Sequence, residues 1–169
     1  MKNAKIFTLL CVLGSAICYF VAPYLQYPNL SGSLFSSKIT YQTISCVDIF
    51  YNGDKFGVNG KMTNLLLGLI AISVILAICL VASKKNSKIF FALMAISQII
   101  SGALNGYLFY SFDNMKGKYA GVIGLLMDAV NIKFVYGIYL NIGLIALAII
   151  LSVAGLSLNS MWRAKTATL

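Results

Sequence analysis

The 169-residue chain contains no histidine and no glutamate, and its only acids are Asp48, Asp54, Asp113 and Asp128. Without an imidazole or a paired carboxylate, few groups remain that could move a proton near neutral pH or hold a transition metal. An enzyme is therefore not expected, and neither is a metal centre or a cofactor. The spacing of the four aspartates matches no loop that holds a hard cation such as Ca²⁺. Charge of either sign is scarce, at 10% of residues against about 25% in a soluble domain, which argues against an ordinary water-soluble protein. No C-x-x-C pair occurs among the four cysteines, so the chain does not read as a thiol oxidase.

What the chain has instead is apolar sequence, 60% of its residues. Four stretches, residues 6–25, 62–83, 89–112 and 134–158, contain no Asp, Lys or Arg. A helix rises about 1.5 Å per residue, so about 20 residues cross a hydrocarbon layer about 30 Å thick. Helices also satisfy their own backbone amides, which lipid cannot do. The expected fold is an all-α membrane protein: one domain over residues 1–169, a four-transmembrane-helix bundle joined outside by loops at 26–61 and 113–133. The first stretch has the outline of a signal peptide. Pro23 stands where a small-residue cleavage site would be sought, however, and a retained first helix is expected.

The formal net charge is +9, but the basic residues form no long stripe interleaved with aromatics, so nucleic acid is not an expected partner. They bear on orientation instead. Lys2, Lys5, Lys84, Lys85, Lys88, Arg163 and Lys165 crowd into two short termini and one tight turn. Lys38, Lys55, Lys61, Lys116, Lys118 and Lys133 are spread over the two long loops. This density places both termini in the cytoplasm, and the long loops outside the cytoplasmic (plasma) membrane. All four aspartates fall in those outer loops, and all ten tyrosines fall in them or in the outer halves of the spans. Tyr19, Tyr24, Tyr107, Tyr110, Tyr136 and Tyr139 read as an outer aromatic belt, with Phe7, Phe90, Phe91 and Trp162 near the inner boundary.

Lipid gives helices no hydrophobic reason to associate, so small residues and interhelical hydrogen bonds must hold them together. Gln98, Ser101, Gly102, Asn105, Gly106 and Phe109 recur at helical spacing, with Gly102 and Gly106 as a small-xxx-small contact. Cys11, Ser15, Cys18 and Ala22 form a stripe in the first stretch, Ser73 and Ala77 in the second, and Asn141 and Gly143 are candidates in the fourth. Interhelical hydrogen bonding is the expected role of Gln98, Asn105 and Asn141. A polar pore or small-ligand site is the alternative, disfavoured because no span carries the ionisable residue that a coupled transporter usually retains. Cys11, Cys18 and Cys79 lie in spans, which leaves Cys46 alone in the outer loops and free, lipid-facing or bridged to another chain.

The first outer loop is too long for a mere connector. Residues 39–51 are rich in β-branched and aromatic side chains, and Asn52-Gly53-Asp54 reads as a turn before Phe56-Gly57-Val58, which predicts a small β-hairpin or sheet. Tyr24 to Pro28 would turn the chain out of the membrane. The second outer loop, with an apolar run at 122–127, could add a strand, a short helix or a lid. Asn29-Leu30-Ser31 matches the N-glycosylation pattern.

Four spans with both ends inside and a strand-built first outer loop resemble the claudin-type tetraspan layout, although the first outer loop lacks the Trp and the Cys pair of true claudins. A closer resemblance is to small bacterial four-helix membrane proteins of uncharacterised function. It rests on Pro23 and Pro28, Asp48 near Gly53, and Tyr136-Gly137-Ile138-Tyr139-Leu140, and it implies a fold and a location but no substrate. The expected function is that of a non-enzymatic accessory, scaffold or immunity-type protein that engages a protein partner at its outer face. The aromatic and apolar residues Tyr41, Ile44, Phe50, Tyr51 and Phe56 are the candidate contacts. The alternative is a small channel or transporter subunit, acting as a homo-oligomer with a polar bundle interior.

Overall fold

The computed structural model describes residues 2–29, 40–51, 62–83, 87–118 and 133–167. In chain order the elements are α1 (Lys2–Val21), β1 (Pro23–Asn29), β2 (Thr40–Ser45), α2 (Cys46–Tyr51), α3 (Met62–Ala82), α4 (Ser87–Lys118), β3 (Lys133–Phe134) and α5 (Tyr136–Ala167). The long helices α1, α3, α4 and α5 carry the apolar stretches, and each is long and apolar enough to cross a membrane. The chain packs into two units. The first comprises Met1–Ala16, Asn64–Leu104 and Asn141–Leu169, and the second comprises Ile17–Thr63 and Asn105–Leu140.

The first unit is a four-helix bundle whose centre takes one residue from each long helix: Val12, Ala77, Met94 and Ala148. Two of the four are alanine, which lets backbones approach where dispersion rather than water supplies the attraction. The outward faces are apolar, with Phe7, Leu10, Ile75, Ile96, Ile99 and Ile150 all exposed. Such faces suit a lipid solvent rather than water. At one end of this unit the Lys5 ammonium donates to the Ser83 carbonyl at 2.5 Å. The contact neutralises a terminal carbonyl that α3 cannot satisfy internally and places a cation at the negative end of the helix dipole.

The second unit is organised by a three-stranded antiparallel sheet in the order β2-β1-β3. Leu25 is central to it, opposite Ile44 on β2 and Phe134 on β3, and an irregularity between Pro23 and Leu25 bends the start of β1. The Val135 amide donates to the Tyr24 carbonyl at 3.0 Å and continues the pairing up to the first turn of α5. β3 lies between α4 and α5, so the sheet joins strands from the segment between α1 and α3 to one from the segment between α4 and α5.

Several local expectations are corrected. The first helix ends at Val21 rather than at residue 25, because Pro23 has no amide proton to extend the ladder and restricts the residue before it. Tyr24 to Pro28 do not merely redirect the chain but form β1, the partner of β2. The extended segment expected over 39–51 stops at Ser45. From Cys46 it becomes helix, because the Ser45 hydroxyl accepts from the Asp48 amide at 3.2 Å and donates to the Asp48 carboxylate at 2.7 Å. This Ser-x-x-Asp cap satisfies a free amide at the start of α2. The turn at 52–54 and its expected partner at 56–58 lie outside the described residues, as do the apolar run at 122–127 and most of the Asn29 acceptor motif. The last long helix starts at Tyr136, two residues beyond the expected boundary, because Lys133 and Phe134 are taken by β3.

Candidate functional site

The helix α2 buries one side and exposes the other, as its spacing requires. Cys46, Ile49 and Phe50 stand at i, i+3 and i+4 and are all buried, whereas Tyr51 is 80% exposed. Once the cap starts the helix, that spacing leaves no other face for the apolar residues. Among the five candidate contact residues, Phe50 is 0% exposed and packs inside the second unit. Ile44 on β2 is half-buried, and Tyr51 is the one whose ring stands clear. The side chain of Tyr41, and Phe56 altogether, lie outside the described residues. On β2, Gln42 and Thr43 are exposed, and among the described residues β2 forms one edge of the sheet. Among the residues of β2 and α2 whose side chains are described, Gln42, Thr43, Asp48 and Tyr51 are exposed.

Cys46 is fully buried and free of disulfides. Burial pushes its thiol well above the ordinary value of 9.0, because a thiolate there would be desolvated. Both properties make it unsuited to a bridge with another chain in the folded state.

The tyrosines depart in part from the expected belt. Tyr110, Tyr136 and Tyr139 are exposed as expected, but Tyr19 and Tyr24 are buried in the second unit, stacked with centroids 6.1 Å apart. The Tyr19 oxygen accepts from the Asn105 amide at 2.8 Å. A ring placed inward needs a partner for its hydroxyl, and Asn105 provides one without any charge. Phe91 is likewise buried.

The polar interior of the first unit uses short pairings. Ser15 on α1 donates to the Asn141 side-chain oxygen on α5 at 2.5 Å, and the hydroxyls of Ser73 on α3 and Ser97 on α4 bond to one another. Thr8, Ser101 and Ser152 return their hydroxyl protons to carbonyls four residues earlier. Gln98 is 2% exposed and donates to the Met94 sulfur at 3.9 Å, while its carbonyl oxygen finds no donor among the described residues. No group of three or more His, Cys, Asp or Glu gathers among the described residues in a way that could hold a metal.

The glycines distribute differently from the expected small-xxx-small contact. A Cβ on Gly106 would meet nothing within 4 Å, and the same holds for Gly143, while one on Gly102 would meet Ile145 at an ordinary 3.8 Å. The tight approaches are elsewhere. A Cβ on Gly137 would lie 2.9 Å from the Pro23 carbonyl carbon, and one on Gly155 would lie 2.5 Å from Cε1 of Phe91. The i, i+4 spacing of two glycines identifies a smooth helix face but not whether a neighbour uses it. Nothing in the local sequence marks Gly155, whose need is set by a ring on another helix.

Comparison with protein-family models, with curated proteins and with solved structures finds no match to this chain.

Proposed function

We propose that the chain is a non-enzymatic multi-pass protein of the cytoplasmic membrane, with both termini cytoplasmic. In this reading its sheet and α2 form a docking platform on the outer face for a protein partner, in an accessory, scaffold or immunity-type role. The observation that carries this reading is Tyr51. It is 80% exposed on a helix whose other aromatic, Phe50, is completely buried, so its ring is spare for contact while its backbone is held by packing. Aromatics of this kind dominate interface energetics. The claudin-type layout fits the same picture, with strands from both long loops paired in one sheet.

The test is recovery of partners from native membrane by cross-linking and mass spectrometry, with Tyr51→Arg beside the parent protein. Because Tyr51 is exposed, the substitution leaves the fold intact and lowers partner recovery by about tenfold, the loss of one interface anchor. Unchanged recovery with Tyr51→Arg and also with Gln42→Lys would remove the platform reading. The second reading, a small channel or transporter subunit, draws on Gln98, whose carbonyl is buried without a protein donor among the described residues. It predicts solute flux in reconstituted vesicles, and silence there counts against it.

A further inference from the structure

Charge is divided unequally between the two packed units. The second unit holds six basic residues and all four aspartates, whereas the first holds seven basic residues and no Asp or Glu. The seven also fall at one end of the first unit. Lys2 and Lys5 are on the first turns of α1, and the Lys5 ammonium reaches the Ser83 carbonyl at the far end of α3. Lys84 and Lys85 follow Ser83 in the chain before α4 starts at Ser87, and Lys88 is on the first turn of α4. Helix α5 runs toward the same end, since it meets α1 through Asn141 and Ser15 and meets the start of α4 further along, where Gly155 faces Phe91. Its remaining turns carry Arg163 and Lys165 past that level. At about 1.5 Å per residue, Arg163 stands about 12 Å beyond Gly155 along the helix axis.

We propose that this cationic end of the first unit binds anionic phospholipid headgroups, whose acyl chains lie along the adjoining helix faces. Like charges gathered at one end of a bundle repel one another, and the unit has no acidic side chain to offset them. The counter-charge therefore comes from outside the unit, and the neighbouring surface selects its source. Ile6 and Phe7 directly follow Lys5, Ile89 directly follows Lys88, and all three apolar side chains are exposed. Lys2 is exposed as well, and Lys88 is half-buried. Cations with bare apolar surface beside them fit a molecule that has an anionic head and a hydrocarbon tail. A soluble polyanion would meet the charge and leave the apolar faces uncovered. The proposal rests on the bilayer setting of the spans, and stands whichever side of the membrane this end faces and whether or not Tyr51 binds a partner.

The chain carries one tryptophan, Trp162, next to Arg163, and its fluorescence reports the lipid at this end. The experiment places the full chain in vesicles that mix phosphatidylglycerol and phosphatidylcholine, with one or the other brominated to quench Trp162. At about 0.01 M salt, phosphatidylglycerol is expected to bind at least about fivefold more tightly than phosphatidylcholine, the gain from one basic residue at an anionic surface. The preference is expected to vanish at about 1 M salt, where the screening length falls to about 3 Å. Lys2→Gln combined with Lys88→Gln and Arg163→Gln is expected to lower it, whereas Lys116→Gln with Lys118→Gln, in the second unit, is expected to leave it unchanged. Should the triple variant not accumulate, the salt series on the parent protein decides. Equal quenching by the two lipids would overturn the proposal and leave the bilayer setting in place, and quenching by neither would overturn both. A preference undiminished in the triple variant would also overturn it. So would displacement by soluble glycerol phosphate or polyglutamate, since either result assigns the cations to a soluble anion.

Discussion

Asn141 and Asn105 illustrate how an uncharged polar group is kept inside a helical membrane protein: each is given one close partner on another helix. Ser15 serves Asn141 in the first unit, and Tyr19 serves Asn105 in the second. Such bonds are worth about 0.6 to 2 kcal/mol in a membrane, because the unfolded reference state also finds partners. A double-mutant cycle with Ser15→Ala and Asn141→Leu, measured by unfolding in mixed micelles, should therefore return a coupling of about 0.6 to 1.7 kcal/mol. A coupling indistinguishable from zero would mean that the pair is not formed in the bilayer. Cys46 offers a second test at this scale. Its thiol should resist maleimide in the folded protein and react on unfolding, and non-reducing electrophoresis should show no bridged dimer. The raised thiol pKa also sets a sign. Stability from the buried neutral thiol is fully present below the ordinary value of 9.0 and is lost as pH rises through the higher folded value, because the unfolded chain releases its proton first. Cys46→Ser should remove that alkaline loss in a pH series of melting temperatures.

At the scale of elements, the close approaches decide which glycines matter. Gly137 at the start of α5 faces the carbonyl of Pro23, and Gly155 further along faces the ring of Phe91. Backbone cannot yield to a methyl, and a fully buried ring can do so only by displacing its neighbours. Gly137→Ala and Gly155→Ala should each lower the thermal midpoint in detergent, by about 1 to 3 kcal/mol of overpacking. Gly106→Ala and Gly143→Ala should be neutral or stabilising, by up to about 1 kcal/mol of helix propensity. The reverse ordering would show that Gly106 contacts something beyond the monomer. Element identity was partly legible in the sequence. The four long helices follow from uninterrupted apolar length, and the cap of α2 is written in Ser45 and Asp48, with Cys46, Ile49 and Phe50 at helical spacing. Reading 46–51 as extended gave β propensity too much weight, since β-branched and aromatic residues pack equally well on a short capped helix. The pairing of β1 with β2 was less legible. Its partner strand begins at a proline directly after a membrane helix, where sequence alone suggests only an exit turn.

For the whole molecule, the deciding property is the solvent that its surface requires. The faces carrying Phe7, Leu10, Ile75, Ile99 and Ile150 are exposed, and such faces suit lipid or detergent rather than water. Orientation can be tested with Tyr51→Cys, since the native Cys46 is buried and silent. A membrane-impermeant maleimide should label position 51 in intact cells and should label Lys2→Cys only after permeabilisation. The opposite pattern would invert the proposed topology and move the platform to the cytoplasm.

Composition and run length by themselves determined that this chain has four helices long and apolar enough to cross a membrane and a strand-forming segment between the first two of them, because hydrocarbon admits only backbones whose hydrogen bonds are internally complete. Tertiary structure alone decided the rest. It drew β3, just before α5, onto β1, buried Tyr19, Tyr24 and Phe50 while leaving Tyr51 exposed, and chose Gly137 and Gly155 over Gly102 and Gly106 for the closest approaches. The physical reason is that an apolar or small residue satisfies lipid and protein almost equally. Which way it faces is set by the neighbour that fills the space beside it, and that neighbour is distant in sequence.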